Sequence, residues 1–205
     1  MYKLQAHKLT KRFGGLKVFS KLEFELTTGQ SMAVVGPNGS GKSTLLMVLL
    51  SLYTPTKGEV VYLNDDAKMD DMAVRAKVAL VSPYLNLYDQ LTAEENIKFF
   101  ATVSGHNIAG KAINELLVRV GLEGRGGDLV GGYSSGMKQR LKYAVAMLKE
   151  PAFLFLDEPT SNLDDAGKQL VVDIIKDFRS KSVVVIATNE KEEYHLAEKQ
   201  LWVNQ

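Results

Sequence analysis

Lys42, Ser43, Asp157 and Glu158 carry the strongest chemical signal in this 205-residue chain. The first pair closes the stretch MAVVGPNGSGKST, which sets Gly36, Gly41, Lys42 and Ser43 in a G-x-x-x-x-G-K-[ST] pattern between an apolar run and a leucine-rich segment. Glycines let the backbone curl until its amide N–H groups converge on an anion. A helix starting there adds partial positive charge, Lys42 reaches the outer phosphates of a nucleotide, and Ser43 offers a hydroxyl to Mg²⁺. The nucleotide-facing set is Gly36, Asn38, Gly39, Ser40, Gly41, Lys42, Ser43 and Thr44. The second pair lies in FLFLDEPTSNLD, where an apolar strand delivers Asp157 to hold Mg²⁺, directly or through water, and Glu158 to polarise an attacking water. Taken singly, these are a glycine-rich turn with a lysine and a carboxylate at a strand end. Together they point to hydrolysis of a nucleoside triphosphate.

Holding such groups takes strands that end at the site and helices that begin there. Short runs rich in valine, isoleucine or aromatics at 32–35, 60–63, 78–81, 153–156 and 183–187 predict strands, several buried on both faces. Helical spacing recurs at Leu45, Leu46, Leu49 and Leu50, at Ile113, Leu116, Leu117 and Val120, at Met137, Leu141, Val145 and Leu148, and at Leu170, Ile174, Ile175 and Phe178. Strands with helices between them predict an α/β core with parallel strands. Leu22, Phe24 and Leu26, alternating with Glu23 and Glu25, predict an antiparallel edge strand. From about 85 to 145 strand-like runs give way to helical patterns, the expectation being an inserted helical subdomain within one domain spanning 1–205.

Composition narrows the partners. The chain is 45% hydrophobic, enough for one sizeable core, and its 25 basic and 24 acidic residues are interspersed to a formal charge of +1. No basic excess favours nucleic acid, and none is expected as a partner. No apolar run approaches about 18 residues and no export leader is evident, so residence in the cytosol, or at a membrane through a partner, is expected. Cysteine is absent and the three histidines, at 7, 106 and 195, are too scattered for a His-rich metal site. Asp65, Asp66, Asp70 and Asp71 read as a solvated loop, and His195 as a surface residue in a helical-looking segment.

Four motifs in order, GPNGSGKST at 36–44, LTAEEN at 91–96, YSSGMKQR at 133–140 and FLFLDEPTSNLD at 153–164, make the chain resemble the ATP-binding subunit of ATP-binding-cassette (ABC) transporters over nearly its whole length. The resemblance implies a RecA-like P-loop NTPase core with an antiparallel β subdomain and an inserted helical subdomain. It implies ATP and Mg²⁺ as cofactors, a transmembrane permease as partner at the cytoplasmic face of the membrane, and head-to-tail pairing with a second copy or a paralogous ATP-binding subunit. In that pairing Ser134, with the amides around Ser135 and Gly136, would grasp the γ-phosphate held by the other subunit. Phe13 aligns with an aromatic that stacks on adenine, the other reading being a core aromatic. Asp164 falls in a loop linking the two sites and could equally cap the helix after it. The segment YSSGMKQR looks closest to the exporter branch that moves lipids, polysaccharides, drugs or haem.

Two positions depart from the family pattern. Pro83 stands where a glutamine touches Mg²⁺ and the attacking water, with Asn86 or Gln90 as substitutes after a loop shift. Proline offers neither donor nor carboxamide. Asn189 stands where a histidine contacts the γ-phosphate; it keeps hydrogen-bonding capacity but cannot become cationic near neutral pH. The leading expectation is therefore an ATPase powering an exporter, with Glu158 and Asn189 as catalytic residues. A regulatory ATP-binding module with little turnover, and a soluble relative acting on DNA or ribosomes, are the alternatives.

Overall fold

The computed structural model describes residues 1–203. In chain order these form β1 (Tyr2–Phe13), β2 (Leu16–Thr27), β3 (Ser31–Val35), α1 (Lys42–Leu49), β4 (Lys57–Asn64), β5 (Ala67–Lys68), α2 (Asp71–Lys77) and β6 (Val78–Val81). They continue with α3 (Ala93–Val103), α4 (Gly110–Arg119), α5 (Ser135–Met147), β7 (Phe153–Asp157), α6 (Asp165–Arg179), β8 (Val183–Thr188) and β9 (Lys199–Trp202), with short 3-10 turns at Val130–Gly132 and Lys191–Leu196.

One sheet, ordered β6-β7-β8-β3-β9, has every neighbouring pair parallel. Its inner strands β3, β7 and β8 are buried along their whole length, as strands covered on both faces must be. Alternation sorts their side chains: Leu154, Leu156, Val184 and Ile186 pack with α3, α4, α5 and α6, while Phe153, Phe155, Val183 and Val185 pack with α1 and the second sheet. Between β6 and β7 the described residues form only helical elements, and their apolar faces share one cluster with α6 and the sheet. This arrangement is the RecA-like α/β core with an antiparallel sheet at its side.

The second sheet, β2-β1-β4-β5, is antiparallel throughout. The segment with Leu22, Phe24 and Leu26 is its edge strand β2, burying Leu26 and exposing Glu23 and Glu25. The 60–63 run corrects an expectation, because it lies in β4 of this sheet and not in the parallel core. A single strand's apolar pattern reports which faces are covered, not which strands adjoin it. The acidic cluster also differs from a plain loop. Asp65 and Asp66 form the β4–β5 turn with φ of 48° and 64°, and pair with the Met1 amine and with Lys3. Asp70 caps α2 by accepting from the Ala73 amide, and Asp71 lies in its first turn.

Local sequence explains the helix starts around the site. Thr92 and Glu95 of LTAEEN form a reciprocal capping box at α3. Asn96, fully buried, accepts from the Tyr88 amide and donates to the Tyr88 and Thr92 carbonyls, pinning the loop that leads from β6 into the helices. Asp164 caps α6 through the Gly167 amide, so the helix-cap reading holds for it.

Candidate functional site

Strands β3, β7 and β8 bring their carboxyl ends to one edge of the parallel sheet, the usual ligand side of such folds. From β3 the chain enters the loop 36–41 and then α1, with Lys42 as the first helical residue. Gly36 and Gly41 are demanded sterically. A Cβ on Gly36 would lie 2.6 Å from both Ser40 Oγ and the Val203 carbonyl oxygen; one on Gly41, at φ 104°, would lie 2.3 Å from Val18 Cγ1. Lys42 is 6% exposed and donates to the Gly36 and Pro37 carbonyls at 2.9 and 3.0 Å, folding its ammonium back into the loop. Burial pulls the Lys42 ammonium below its ordinary value, against the opposing pull of Glu158 and Asp157.

Asp157 ends β7 on the α1 side of the sheet, 2% exposed, with the Ser43 side chain near enough to its carboxylate to favour the charged form. Burial pushes its carboxyl above the usual carboxylate range and Glu158 adds to that, while Ser43 and Lys42 oppose it. Ala187 of β8 is its neighbour in register. Glu158 follows at φ 50°, its amide donating to the Ala187 carbonyl at 2.9 Å. A non-glycine residue in this left-handed region stores backbone strain, which collects at functional positions.

Glu158 borders two cavities. One, of about 460 Å³, is lined by Phe13, Leu16, Val18, Asn38, Gly39, Gly41, Lys42, Ser43, Thr44 and Tyr84 besides Glu158. The other, of about 390 Å³, holds Asn189 with Glu158, Thr160, Ser161, Asn162, Lys168 and Glu193 among its walls. Asn189 is thus gathered with Glu158 but does not line the cleft above the phosphate loop. Phe13 is 47% exposed, edge-on to Tyr53 at 5.8 Å with Lys11 Nζ 4.7 Å from its ring centroid. The core-aromatic reading of Phe13 is therefore set aside. Asn86 and Gln90 are exposed and line neither cavity. His195 is exposed in the 3-10 turn.

Ser134, Ser135 and Gly136 lie apart from the phosphate-loop cleft of the same chain. Ser134 caps α5 by accepting from the Met137 amide at 3.2 Å, and Gly136 abuts the loop after Glu158, where a Cβ would come within 3.1 Å of the Asn162 carbonyl. That loop is anchored from two sides. Gln139 and Tyr143 of α5 both donate to the Pro159 carbonyl, at 3.2 and 3.0 Å. Glu193, 4% exposed, accepts from the Thr160 amide at 3.1 Å and from its hydroxyl. Sequence reading missed Glu193, Thr160 and Tyr84; Glu193 lies in the charged run EKEEYH, where nothing local marks one acid as buried.

The donor set suits a nucleotide-bound Mg²⁺, which takes one or two carboxylates with phosphate oxygens and waters rather than an all-protein cage. Ser43 and Asp157 lie close together, and Asp157 sits where burial disfavours its uncompensated charge. Among the described residues no cluster of three or more His, Asp or Glu would hold a metal by itself.

A family model described as "ABC transporter" matches residues 19–161. The chain belongs to that family. Among curated relatives, the probable multidrug ABC transporter ATP-binding protein YbhF of Escherichia coli is 33% identical over 189 residues, covering 90% of this chain and 32% of YbhF. The lantibiotic transport ATP-binding protein SrtF of Streptococcus pyogenes is 32% identical over 197 residues, covering 95% of this chain and 84% of SrtF. The cassette spans about a third of YbhF and about three-fifths of other curated relatives it matches. A solved dimer of the ATP-binding cassette MJ0796, in a post-hydrolysis state with ADP and Pi, superposes with a TM-score of 0.85 at 25% identity, covering 98% of this chain and 94% of that one. No helix among the described residues of the cassette is long and apolar enough to cross a membrane.

Proposed function

We propose that this cassette binds and hydrolyses ATP and that two such cassettes, identical or paralogous, pair head to tail to drive a separate transmembrane permease of the exporter type at the cytoplasmic face of a membrane. The observation that carries this reading is the convergence of Lys42, the Ser43–Asp157 pair and Glu158 on one open cleft. Loop 36–41 and the start of α1 receive the phosphates, where Ser40 presents a buried hydroxyl with no partner among the described residues. Lys42 exchanges its two loop carbonyls for phosphate oxygens. Phe13, already exposed beside Tyr53, offers a face for the adenine. Ser43 and Asp157 would hold Mg²⁺, which would supply neutralisation of the phosphate charge. Glu158 orients and polarises the water.

Three observations support pairing. The α5 N-terminus with Ser134, Ser135 and Gly136 is remote from its own cleft yet rests on the loop that carries Glu158. A helix start of this kind suits the γ-phosphate held by a partner. The MJ0796 cassette is itself dimeric with ADP and Pi. The helical region of about 85–145 is read as the inserted subdomain that meets the permease, and the transport names of YbhF and SrtF favour export.

The deciding experiment is Glu158→Gln examined with its permease in bilayers. Losing a well-placed general base lowers turnover about 10²- to 10⁴-fold, and ATP binding should persist. Light scattering should then show ATP-induced dimers that do not decay. Unchanged hydrolysis in the variant removes Glu158 from the mechanism. Absence of hydrolysis in the wild-type complex favours instead a regulatory ATP-binding module, a reading that Pro83 and Asn189 motivate.

A further inference from the structure

Ser82 occupies the first position after β6, and three features of its surroundings set it apart from an ordinary buried serine. The β6–β7 register pairs Val78 with Phe153, Ala79 with Leu154, Leu80 with Phe155 and Val81 with Leu156, so the next residues in step are Ser82 and Asp157. Side chains alternate across this sheet. Ala79 and Val81 belong to the cluster under α3 to α6, Val78 and Leu80 to the cluster under α1. Ser82 therefore falls on the α1 face, the face of Asp157, one strand spacing of about 4.8 Å away.

Its hydroxyl is fully buried and, among the described residues, has no hydrogen-bond partner. Leaving a buried hydroxyl unpaired is costly, so such groups commonly have a partner that binds later. The backbone at this point is held by contrast. The Ser82 carbonyl accepts from the Leu85 amide at 3.2 Å and from Lys142 Nζ of α5 at 3.0 Å, and Lys142 also reaches the Pro83 carbonyl at 3.3 Å. Pro83, at the second position of this turn, fixes its own φ and presents no N–H that could satisfy the hydroxyl. The backbone of the strand end is held through its carbonyls, and continuing the strand's alternation puts the hydroxyl on the face of the sheet that Asp157 occupies.

We propose that Ser82 Oγ hydrogen-bonds a water in the coordination shell of the Mg²⁺ held by Ser43 and Asp157, supplying from the strand end the polar contact that Pro83 cannot make. This rests on the metal site of the proposed function. Mg²⁺ retains several waters when bound with a nucleotide, and a neutral hydroxyl beside an anionic ligand accepts from one water and donates to a carboxylate or phosphate oxygen. Ser82 is thus a positioning residue for the metal.

Ser82→Ala and Ser82→Cys test this through metal affinity instead of turnover. The chain is titrated with MgCl₂ at saturating ATP while its ATP-dependent rise in melting temperature is followed; Mn²⁺ replaces Mg²⁺ in a parallel titration read by the free-Mn²⁺ electron paramagnetic resonance signal. Loss of an outer-shell partner typically weakens metal binding about 10- to 100-fold. Both variants should need at least about tenfold more metal for half the effect, with ATP affinity in EDTA unchanged and apo melting temperature no lower than that of the wild type. Metal titrations matching the wild type in both variants overturn the proposal. Ser43→Ala distinguishes the two levels: if it too leaves the metal response intact, the metal assignment itself fails, whereas its loss beside normal Ser82 variants refutes Ser82 alone.

Discussion

Asp157→Asn should make the nucleotide-free protein more stable while removing its response to Mg²⁺. Burial raises the folded-state pKa of Asp157 above the ordinary carboxylate value, and Ser43 and Lys42 only partly offset this. Between the unfolded and the raised folded pKa the native state holds more protons than the unfolded state, so stability falls as pH rises through that window. The stability associated with the protonated carboxyl is present in full below the unfolded pKa and is lost above the folded one. At neutral pH each unit of upward shift corresponds to about 1.4 kcal/mol of destabilisation. For a chain of this size that is roughly 3–5 °C in melting temperature. Asparagine keeps the shape and carries no charge. The apo variant should therefore melt above the wild type at pH 7, and the gap should close as pH falls through the carboxylate range. With MgATP at 100 times its dissociation constant the wild type gains about 2.7 kcal/mol, so the order should reverse. Scanning calorimetry from pH 4 to 8, with and without MgATP, reads both effects. A variant less stable than the wild type at pH 7 without nucleotide, or a gap indifferent to pH, would refute the reasoning, because Asp157 would then be held in a favourable charge pair rather than a costly desolvated state.

Asn189→Ala removes one neutral hydrogen-bonding group, with about 0.5–1.5 kcal/mol expected at stake, or roughly a 2- to 12-fold fall in turnover. ATP affinity should move less, and Asn189→His should add an inflection near neutral pH that the wild-type profile lacks; turnover of Asn189→Ala equal to the wild type takes Asn189 out of the mechanism. Gly41→Ala forces a methyl against Val18 Cγ1 at a left-handed backbone position. Unfolding in urea should show a loss of about 2–5 kcal/mol, and nucleotide binding should fail with it. Wild-type stability and binding in that variant would mean that the phosphate loop does not need this geometry.

Some elements were legible because their signal is local. Runs 32–35, 78–81, 153–156 and 183–187 match β3, β6, β7 and β8 because both faces of a parallel strand are covered, leaving an unbroken apolar stretch. Strand β1 was hidden. Leu4 and Ala6 are buried in one phase and Leu9 in the other, because the irregularity at Lys8, φ 49°, breaks the alternation that would announce a strand. Strand β9 is four residues at the sheet edge with only Leu201 partly covered, too short and too exposed for a pattern.

The phosphate loop was determined by sequence alone, since its chemistry resides in consecutive backbone amides and a glycine pattern within one turn and one helix start. The carboxylates that follow an apolar run were equally plain, whereas Asn189 stands out only against the pattern of the family the chain resembles. Tertiary structure decided everything that depends on neighbours. It placed β4 in the second sheet, exposed Phe13, brought Ser43 close to Asp157, anchored Thr160 on Glu193, and left the Ser82 hydroxyl buried with no hydrogen-bond partner among the described residues. Periodicity encodes which side of an element meets the core. Which strands lie side by side, and so which polar groups share one desolvated pocket, is settled only when the whole sheet assembles.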